Sequence, residues 1–600
     1  MKYLKSIVPA LFFLVILGSC KKDFLSQVPN DRITIDEVFQ RRLESEQYLA
    51  NVYAYIKDEH NQWSDNPWFG MSDEGDVSWA RDYMFTYAIN LGSWDPNVAY
   101  GQTWEHYYRG IRSATYFIEN IGGNAEILAL GQQGLDLIEQ YKAEAQFLRA
   151  WFYFCLVRQY GPVIIINEII PPDMPLSELQ IPRNTYDDCI QHIVSELDAA
   201  ARVLPVQHVS DRDAGRATRA TCMAVKSRVL LYAASPMNNG NTDYASFVNP
   251  DGTPLYAQQY DAEKWKAAAD AAKAVIDLNA FSLYKVYDNT GQLDPLLSYR
   301  DVFLEPWNNE MIFVRSDWVS LEWERFCTPR FGGGWSGMAA TQQQVDAYFM
   351  ANGKAIDDNG SGYTESGFTN TDGKYTNAGT FSMYANREPR FYASIVYNGS
   401  EWINTEEGVQ IIGLHRNGNS GSQGSVDYSR TGYLVKKNIH PNANPRLNKG
   451  VRRPYPLIRL AEIYLNYAEA LNEYSPGHAD ILNYINLVRE RAGIPQYGTP
   501  GLPAPGGQDA VRTLIRKERR VELAFETHRF FDVRRWKIAQ QTEGGDFYGM
   551  DVLKGESISD PEFYKRTVFE KRVSHPEYAL WPILQAEIDR NNSIVQNHDW

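Results

Sequence analysis

Residues 138–159 carry two apolar stripes on one predicted helix, and this pattern limits the folds open to the chain. In each stripe the side chains recur three or four positions apart, with Tyr141, Ala145, Leu148, Phe152 and Cys155 in the first and Phe147, Ala150, Phe154 and Val157 in the second. This spacing predicts an α-helix that is apolar on two sides. Such a helix lies between two neighbours, as in stacked helical hairpins where every unit covers the next. Gly161-Pro162 is expected to end it.

Helical periodicity recurs along most of the chain. It predicts helices at 46–57, 102–121, 185–203, 217–234, 262–278, 457–473, 479–492 and 510–525. One stripe of the 217–234 segment is made of small residues, which let a second helix approach closely. The predicted fold class is therefore mainly α, with helical-hairpin repeats.

The stretch 288–453 differs from this scaffold, because it is rich in Gly, Asn, Ser and Tyr and has only short β-like runs, at 311–314 and 393–397. We interpret it as a loop-rich insertion with short strands, and a loop region this long is usually functional. The predicted organisation is a signal peptide at 1–19, an N-terminal helical-repeat region at 20–287, a ligand-binding insertion at 288–453 and a C-terminal helical region at 454–600.

The N-terminus has the features of an export signal that ends at a cysteine. Two lysines precede an apolar run at 7–17, which is too short to span a bilayer as a permanent helix, and Leu17-Gly18-Ser19-Cys20 follows. This order predicts a lipoprotein signal with Cys20 as the lipid attachment site and first mature residue. Acyl chains on Cys20 would hold the protein at a membrane. A plain secretory peptide is the alternative.

Charge and cysteine content exclude several classes of function. A net charge of -15 argues against nucleic acid, whose binding depends on Lys and Arg neutralising phosphates. Beyond Cys20, the four cysteines fall mainly in apolar helical patterns and are predicted to be buried thiols. The sequence shows no zinc, thiol-pair or α/β-hydrolase motif, and we predict no cofactor, no metal site and no catalytic residue.

The strongest candidate for catalysis is the pair Glu518 and Glu522, one helical turn apart in an arginine-rich segment. Paired carboxylates near a groove are typical of glycoside hydrolases. Five arginines lie close by, however, and a buried Glu/Arg network that ties helices together explains the pair better.

Five stretches of the chain, in this order, resemble the SusD/RagB family of outer-membrane glycan-binding lipoproteins of Bacteroidetes. They are the Cys20 signal with residues 21–25, residues 147–162, residues 459–470, residues 516–536, and the tail with 580–583 and 596–597. The resemblance implies tetratricopeptide-like helical hairpins and an irregular region that displays the ligand site. It also implies a surface lipoprotein on the outer leaflet of the outer membrane, which binds oligo- or polysaccharide without cleaving it and delivers it to a SusC-like TonB-dependent transporter.

Aromatic residues in the loops are the candidates for sugar binding, because Trp and Tyr cover the apolar face of a sugar ring while Asp, Asn or Arg pair with its hydroxyls. We select Asp73, Trp79, Trp94, Trp318, Trp323, Arg330 and Trp335 by their position in loops. Each of them has packing in the core as its alternative. Two other functions stay open, a surface glycoside hydrolase and a helical-repeat adaptor or peptide-uptake protein. Exposed loop aromatics in one patch would favour sugar binding over the adaptor.

Overall fold

The computed structural model describes residues 35–59, 61, 68–79, 84–208, 210–316 and 321–600. The predicted signal peptide, Cys20 and Trp318 lie outside the described residues. Helices make up 43% of the chain and strands 10%, so the fold is mainly α.

Helices in the N-terminal half of the described chain include those that form the hairpins. Their bounds are Ile35–Gln40, Arg42–Tyr53, Trp68–Met71, Phe85–Asn90, Trp104–Asn120, Ala125–Leu128, Gln132–Tyr160, Tyr186–Val203, Arg219–Ala234, Glu263–Asp277 and Pro295–Arg300. In the rest of the chain the α-helices are Leu321–Cys327, Gln342–Ala347, Pro389–Ser394, Leu460–Tyr474, Ala479–Arg491, Gln508–Glu522, His528–Arg535, Ala539–Glu543 and Gln585–Arg590.

Strands within the described ranges are short and form antiparallel pairs. The pairs are Gly75–Val77 with Met338–Ala340, Val286–Tyr287 with Leu293–Asp294, Met311–Arg315 with Tyr455–Arg459, Ile395–Tyr397 with Tyr433–Val435, Glu401–Asn404 with Gly408–Ile411, and Gly545–Met550 with Arg566–Arg572. Most of these strands lie in the predicted insertion. The predicted fold class, helical hairpins with a strand-containing insertion, is confirmed.

The helices pack in sequence as an array. Gln132–Tyr160 contacts Trp104–Asn120 on one side and Tyr186–Val203 on the other. From there, each helix of the following series packs on the next: Tyr186–Val203, Arg219–Ala234, Glu263–Asp277, Leu460–Tyr474 and Ala479–Arg491. Two covered sides explain the two apolar stripes, because both stripes are removed from water.

Every predicted helix occurs, but the one predicted at 457–473 begins later. Residues 455–459 form a strand, and the helix starts at Leu460. The apolar run Leu457-Ile458 fits both helical periodicity and a buried strand, and pairing with Met311–Arg315 selects the strand. The same pairing crosses the predicted division between 453 and 454 and joins the insertion to the C-terminal region. The domain boundaries themselves stay predictions.

A group of buried charges lies where the insertion meets the C-terminal helices, and we call it the Arg/Glu cluster. Its members are Glu310, Glu388, Arg390, Lys437, Arg459, Arg489, Arg491, Glu518, Glu522 and Glu526. These side chains are at most 5% exposed. Cations and carboxylates are equal in number, so the cluster balances its own charge inside the protein. It stabilises the junction of segments that are far apart in sequence.

Among the described residues, no helix is both long enough and apolar enough to cross a membrane.

Candidate functional site

Asp73 lies in the interior as a partner of two arginines. Its carboxylate accepts hydrogen bonds from Nε and Nη2 of Arg529 at 2.7 and 2.9 Å and lies 3.0 Å from Nη2 of Arg520. Burial disfavours the charged form, but the two guanidinium groups outweigh it and lower the pKa of Asp73 to about 2. The residue joins the N-terminal segment to the C-terminal helices, and its acceptor oxygens are already used.

Three of the predicted tryptophans are also buried. Trp94 packs against Trp581 with ring centroids 4.4 Å apart, and its ring also contacts Tyr578 and Trp600. The indole N–H of Trp323 donates to the carbonyl of Lys437 at 3.3 Å. Trp79 donates to Asp427 at 3.0 Å and supports the ring of Trp335 from the protein side. These three residues therefore pack in the core, which is the alternative to ligand binding that the sequence leaves open for each of them.

Trp335 and Arg330 lie together on a loop at the surface, and Trp335 has 41% of its surface exposed. Its ring meets Phe326 edge-on, with the ring centroids 5.1 Å apart. Arg330 is half-buried and donates to the carbonyl of Gly421 at 3.0 Å, so it ties the loop to a neighbouring segment. Of the seven predicted positions, these two are brought together at the surface.

The loop that carries Trp335 is held by its own backbone. It follows the helix Leu321–Cys327 and folds back on it, with the amides of Trp335 and Gly337 donating to the carbonyls of Arg325 and Phe326. A Cβ on Gly334 would lie 2.1 Å from the carbonyl oxygen of Thr328, so glycine is required for this close approach. The loop therefore presents Trp335 in a fixed position.

Side chains from two segments that are distant in sequence lie around the loop of Trp335. Together with the indole they form what we call the Trp335 surface. It consists of Arg325, Arg330, Phe331, Trp335, Arg446 and Asn448. The guanidinium carbon of Arg325 lies 5.4 Å from the centre of the Trp335 ring, and Nη2 donates to Oδ1 of Asn448 at 2.6 Å. Arg446 donates to the carbonyl of Phe331. Both arginines keep further N–H groups for other acceptors.

The arrangement combines a partly exposed aromatic side chain with a guanidinium over its ring and further hydrogen-bond donors nearby. A sugar ring has matching parts, because its C–H groups form an apolar face and its hydroxyls lie around the rim. Phe331, with 42% of its surface exposed, extends the apolar area. The surface is suited to stacking one sugar ring while the guanidinium and amide groups bind its hydroxyls.

Trp307 is the second strongly exposed tryptophan of the described chain, with 46% of its surface in solvent. It has a positive φ of 57° and lies beside Gly215 and Ser316. Its exposure is close to the 41% of Trp335, but no guanidinium lies over its ring among the described contacts. It provides a matched comparison for Trp335.

Sequence reasoning missed Arg325, Phe331, Arg446 and Asn448. The sequence offers a signal for two of them. Phe331 lies in the loop between the predicted Arg330 and Trp335, and Arg325 lies in the helix directly before that loop. Arg446 and Asn448 are more than 100 residues away, and no spacing pattern connects them to Trp335.

Glu518 and Glu522 belong to the Arg/Glu cluster, as predicted by the network interpretation. Both side chains are fully buried, and Arg390 contacts them at 2.7 and 3.0 Å. Burial opposes ionisation of Glu522, but Arg491, Arg459 and Arg390 together lower its pKa to about 2. A carboxylate that holds no proton near neutral pH and has no route to a ligand does not act as a general acid. This pair therefore gives no support to glycosidase activity.

The fold is a helical-repeat array with a strand-containing insertion, and the Trp335 surface lies on that insertion. A family model described as "SusD family" matches residues 307–600. A second, described as "Starch-binding associating with outer membrane", matches residues 23–231. The chain belongs to the SusD/RagB family.

Individual relatives agree with this assignment. A SusD-like protein from Bacteroides ovatus is 25% identical over 543 residues, which cover 87% of this chain and 80% of the relative. The crystal structure of a SusD-like protein from Bacteroides fragilis superposes with a TM-score of 0.74 at 25% identity, over 96% of this chain and all of the other. Surface glycan-binding protein A from Bacteroides fluxus shares the fold, with a TM-score of 0.60 at 18% identity over 93% of this chain and all of the other.

Proposed function

We propose that the protein is a cell-surface lipoprotein that binds an oligo- or polysaccharide at the Trp335 surface without cleaving it. The observation that carries the proposal is the exposed indole of Trp335, on a loop held by backbone hydrogen bonds, with the guanidinium of Arg325 over its ring and the amide of Asn448 beside that guanidinium. Family membership supports it, since one matching family model is described as starch-binding and the fold neighbour from Bacteroides fluxus is a surface glycan-binding protein.

The proposed binding mode is shallow. One aromatic face with a few donors covers one sugar ring, so the affinity for a short oligosaccharide is expected to be modest. Several copies of the protein on one polysaccharide would increase retention through avidity. Because backbone hydrogen bonds already hold the loop, we expect binding to require no closing movement.

Binding without cleavage follows from the position of the carboxylates. The paired glutamates of the C-terminal helix lie inside the Arg/Glu cluster, each with an arginine partner. The described contacts of Trp335 itself are with arginine and aromatic side chains, which supply neither a general acid nor a nucleophile for a glycosidic bond. We therefore expect the ligand to leave the surface intact.

Delivery to a SusC-like TonB-dependent transporter completes the proposal, with Cys20 as the lipid anchor and the protein facing the cell exterior. The family model described as associating with the outer membrane supports this location. Native purification of the lipoprotein from its own membranes, followed by identification of bound proteins, tests the partner. A transporter of the SusC type in stoichiometric amount is expected, and its absence would contradict delivery.

The binding proposal is tested with the full chain purified in mild detergent. Calorimetric titration against plant, host-mucin and microbial glycans identifies the ligand class, and chromatography of each mixture detects products. Trp335→Ala should weaken binding of the best glycan about tenfold, since loss of an aromatic stacking partner is worth about 1.4 kcal/mol. Trp307→Ala, which removes an equally exposed tryptophan, is the matched control and should leave binding unchanged.

Two results would overturn the proposal. If Trp307→Ala abolishes binding and Trp335→Ala does not, the ligand site lies elsewhere on the surface. If shortened products accumulate in the mixture, the protein is an enzyme.

A further inference from the structure

A second concave site lies in the insertion, beside the Trp335 surface but separate from it. This pocket has a volume of about 310 Å³, at the lower end of the range for small-molecule sites. Arg300, Lys374, Tyr375, Asn377, Glu401 and Lys436 are among the residues that line it. Trp402 forms one wall, and a Cβ on Gly332, in the Trp335 loop, would lie 3.4 Å from its Nε1. The two sites therefore share this tryptophan as a partition.

Lys436 brings a positive charge to this pocket. Its ammonium donates to the backbone carbonyl of Glu401 at 3.2 Å. Within the described part of the chain, it forms no ion pair with a carboxylate, unlike Lys437 next to it, which lies 2.5 Å from Glu526. A half-buried ammonium without a counter-ion is costly, and an anion in the pocket would relieve that cost.

Other cations in the pocket add to this charge. The guanidinium of Arg300 uses Nε and Nη2 for Asp301, at 2.6 and 3.1 Å, and forms no described bond from Nη1. Burial and the charge of Arg300 lower the pKa of Lys436 to about 8, although Glu401 opposes them. Lys374 is a third positive group in the lining, and its ammonium lies 5.1 Å from the centre of the Tyr375 ring. In a chain with a net charge of -15, a pocket with more cations than carboxylates is selective for negative charge.

The pocket also has the aromatic surface that a sugar ring needs. The half-buried ring of Tyr375 lies 5.1 Å from that of Tyr392, at an angle of 41°. The hydroxyl of Tyr375 has no hydrogen-bond partner among the described residues. Asn377 adds an amide beside the carboxylate of Glu401, to which it donates at 2.9 Å. A ligand that brings both a ring and hydroxyl groups would satisfy these atoms.

We propose that this pocket binds a negatively charged sugar unit, with its anionic group at Lys436 and Arg300 and its ring against Tyr375. The proposal rests on the proposed glycan-binding function and names the chemical class of ligand that a second site accepts. Carboxylate and sulfate ester are two common forms in which a sugar unit carries a negative charge. Binding at both sites would allow one branched or acidic glycan to contact the protein on both sides of Trp402.

The experiment compares charged sugars with neutral counterparts on the full chain in detergent. The probes are methyl glycosides of glucuronic and galacturonic acid, their methyl esters, and sulfated galactose with galactose as its counterpart. Binding is followed by saturation-transfer NMR and titration. At least one charged probe should bind about tenfold more tightly than its neutral counterpart, as expected for hydrogen bonds to a charged group.

Lys436→Met keeps the length and apolar stem of the side chain and removes the charge, so it should abolish the preference for the charged probe. Tyr375→Ala keeps the charges and should weaken charged and neutral probes alike. The thermal transition of each variant verifies folding. Should Lys436→Met fail to fold, Lys436→Gln replaces it.

The inference is overturned if no charged probe is preferred, or if the preference survives in the Lys436 variant. Trp335→Ala separates this failure from failure of the proposed function. If Trp335→Ala weakens binding of a neutral glycan while no probe depends on Lys436, only the second site is wrong. If no glycan depends on Trp335, the proposed function fails, and the charged monosaccharides still test the pocket.

Discussion

In the Arg/Glu cluster every guanidinium meets at least one carboxylate inside the protein, whereas at the Trp335 surface Arg325 and Arg330 donate to neutral oxygens. The third arginine there, Arg446, lies 3.7 Å from Glu407 but keeps 54% of its side chain exposed. Arg491 contacts Glu310 and Glu522 with none of its side chain exposed. Arg325 instead donates to an amide oxygen and lies over an indole. The same residue type stabilises the fold where its donors are used and is available for a ligand where they are not.

Arg390→Met, at the centre of the Arg/Glu cluster, tests the role of the buried arginines and should have the largest effect. Arg390 contacts Glu388 at 2.7 Å, Glu518 at 2.7 Å and Glu522 at 3.0 Å. Its loss leaves Glu388 without a described cation partner, and we expect the free energy of unfolding to fall by about 3–5 kcal/mol. Urea unfolding followed by circular dichroism measures the change.

The matched control for this variant is an exposed ion pair. Lys266 lies 2.6 Å from Asp270 on the outer face of a helix, and Lys266→Ala should leave the urea midpoint unchanged within error. If the two variants have similar stability, the cluster does not support the fold in the way its geometry indicates.

Replacement of Trp94 tests the same contrast with aromatic residues. Trp94 is 7% exposed and lies among Tyr578, Trp581 and Trp600, so Trp94→Ala should lower the free energy of unfolding by about 3–4 kcal/mol. The folded variant should bind glycan as the unchanged protein does, whereas Trp335→Ala should lower affinity with little loss of stability. Loss of binding by well-folded Trp94→Ala would return Trp94 to the ligand site.

Acid should destabilise the cluster. The pKa of Glu522 falls from its ordinary value of 4.5 to about 2, because its arginine neighbours outweigh burial. A lowered carboxyl pKa contributes stability that is present above pH 4.5 and is lost as the pH falls toward 2. For Glu522 this contribution is about 3 kcal/mol at most. Urea midpoints measured from pH 7 to pH 2 should therefore drop most steeply below pH 4.5, and a flat profile down to pH 3 would contradict the ion pairs.

Glu74 should give the opposite dependence of stability on pH. Burial raises its pKa to about 8, although the amide of Phe525 donates to it and partly opposes the shift. A raised carboxyl pKa contributes stability below pH 4.5 that is lost as the pH rises through 8. Glu74→Gln should therefore lessen the loss of stability between pH 6 and pH 9, measured by the same unfolding assay.

The scaffold could be predicted from sequence because its signals are local. Stripes at intervals of three and four define the helix Gln132–Tyr160 whatever the rest of the chain does. The sequence predicts the Arg/Glu cluster only in part. Glu518 and Glu522 stand one turn apart among nearby arginines, which indicates a buried ion-pair network, but the arginines that contact them are Arg390, Arg459, Arg489 and Arg491, from outside the 516–536 segment. The Trp335 surface could be predicted only in part. Burial of Trp94 depends on Trp581 and Trp600, nearly 500 residues away, and no local pattern distinguishes it from the exposed Trp335.

The smallest effect is expected from Arg325, which tests how the Trp335 surface works. Arg325→Met keeps an apolar stem over the indole but removes the cation and the bond to Asn448. An exposed cation–π contact is worth about 0.5–1 kcal/mol, so glycan affinity should fall about two- to fivefold. Arg325→Lys keeps the charge, and its glycan affinity should lie between that of Arg325→Met and that of the unchanged protein.

The loop itself should be unaffected, because the amide of Trp335 donates to the backbone carbonyl of Arg325, which every variant retains. Titration calorimetry and the thermal transition measure the two effects separately. A loss of affinity as large as that of Trp335→Ala, with an unchanged transition, would mean that the guanidinium and not the indole makes the main contact with the sugar.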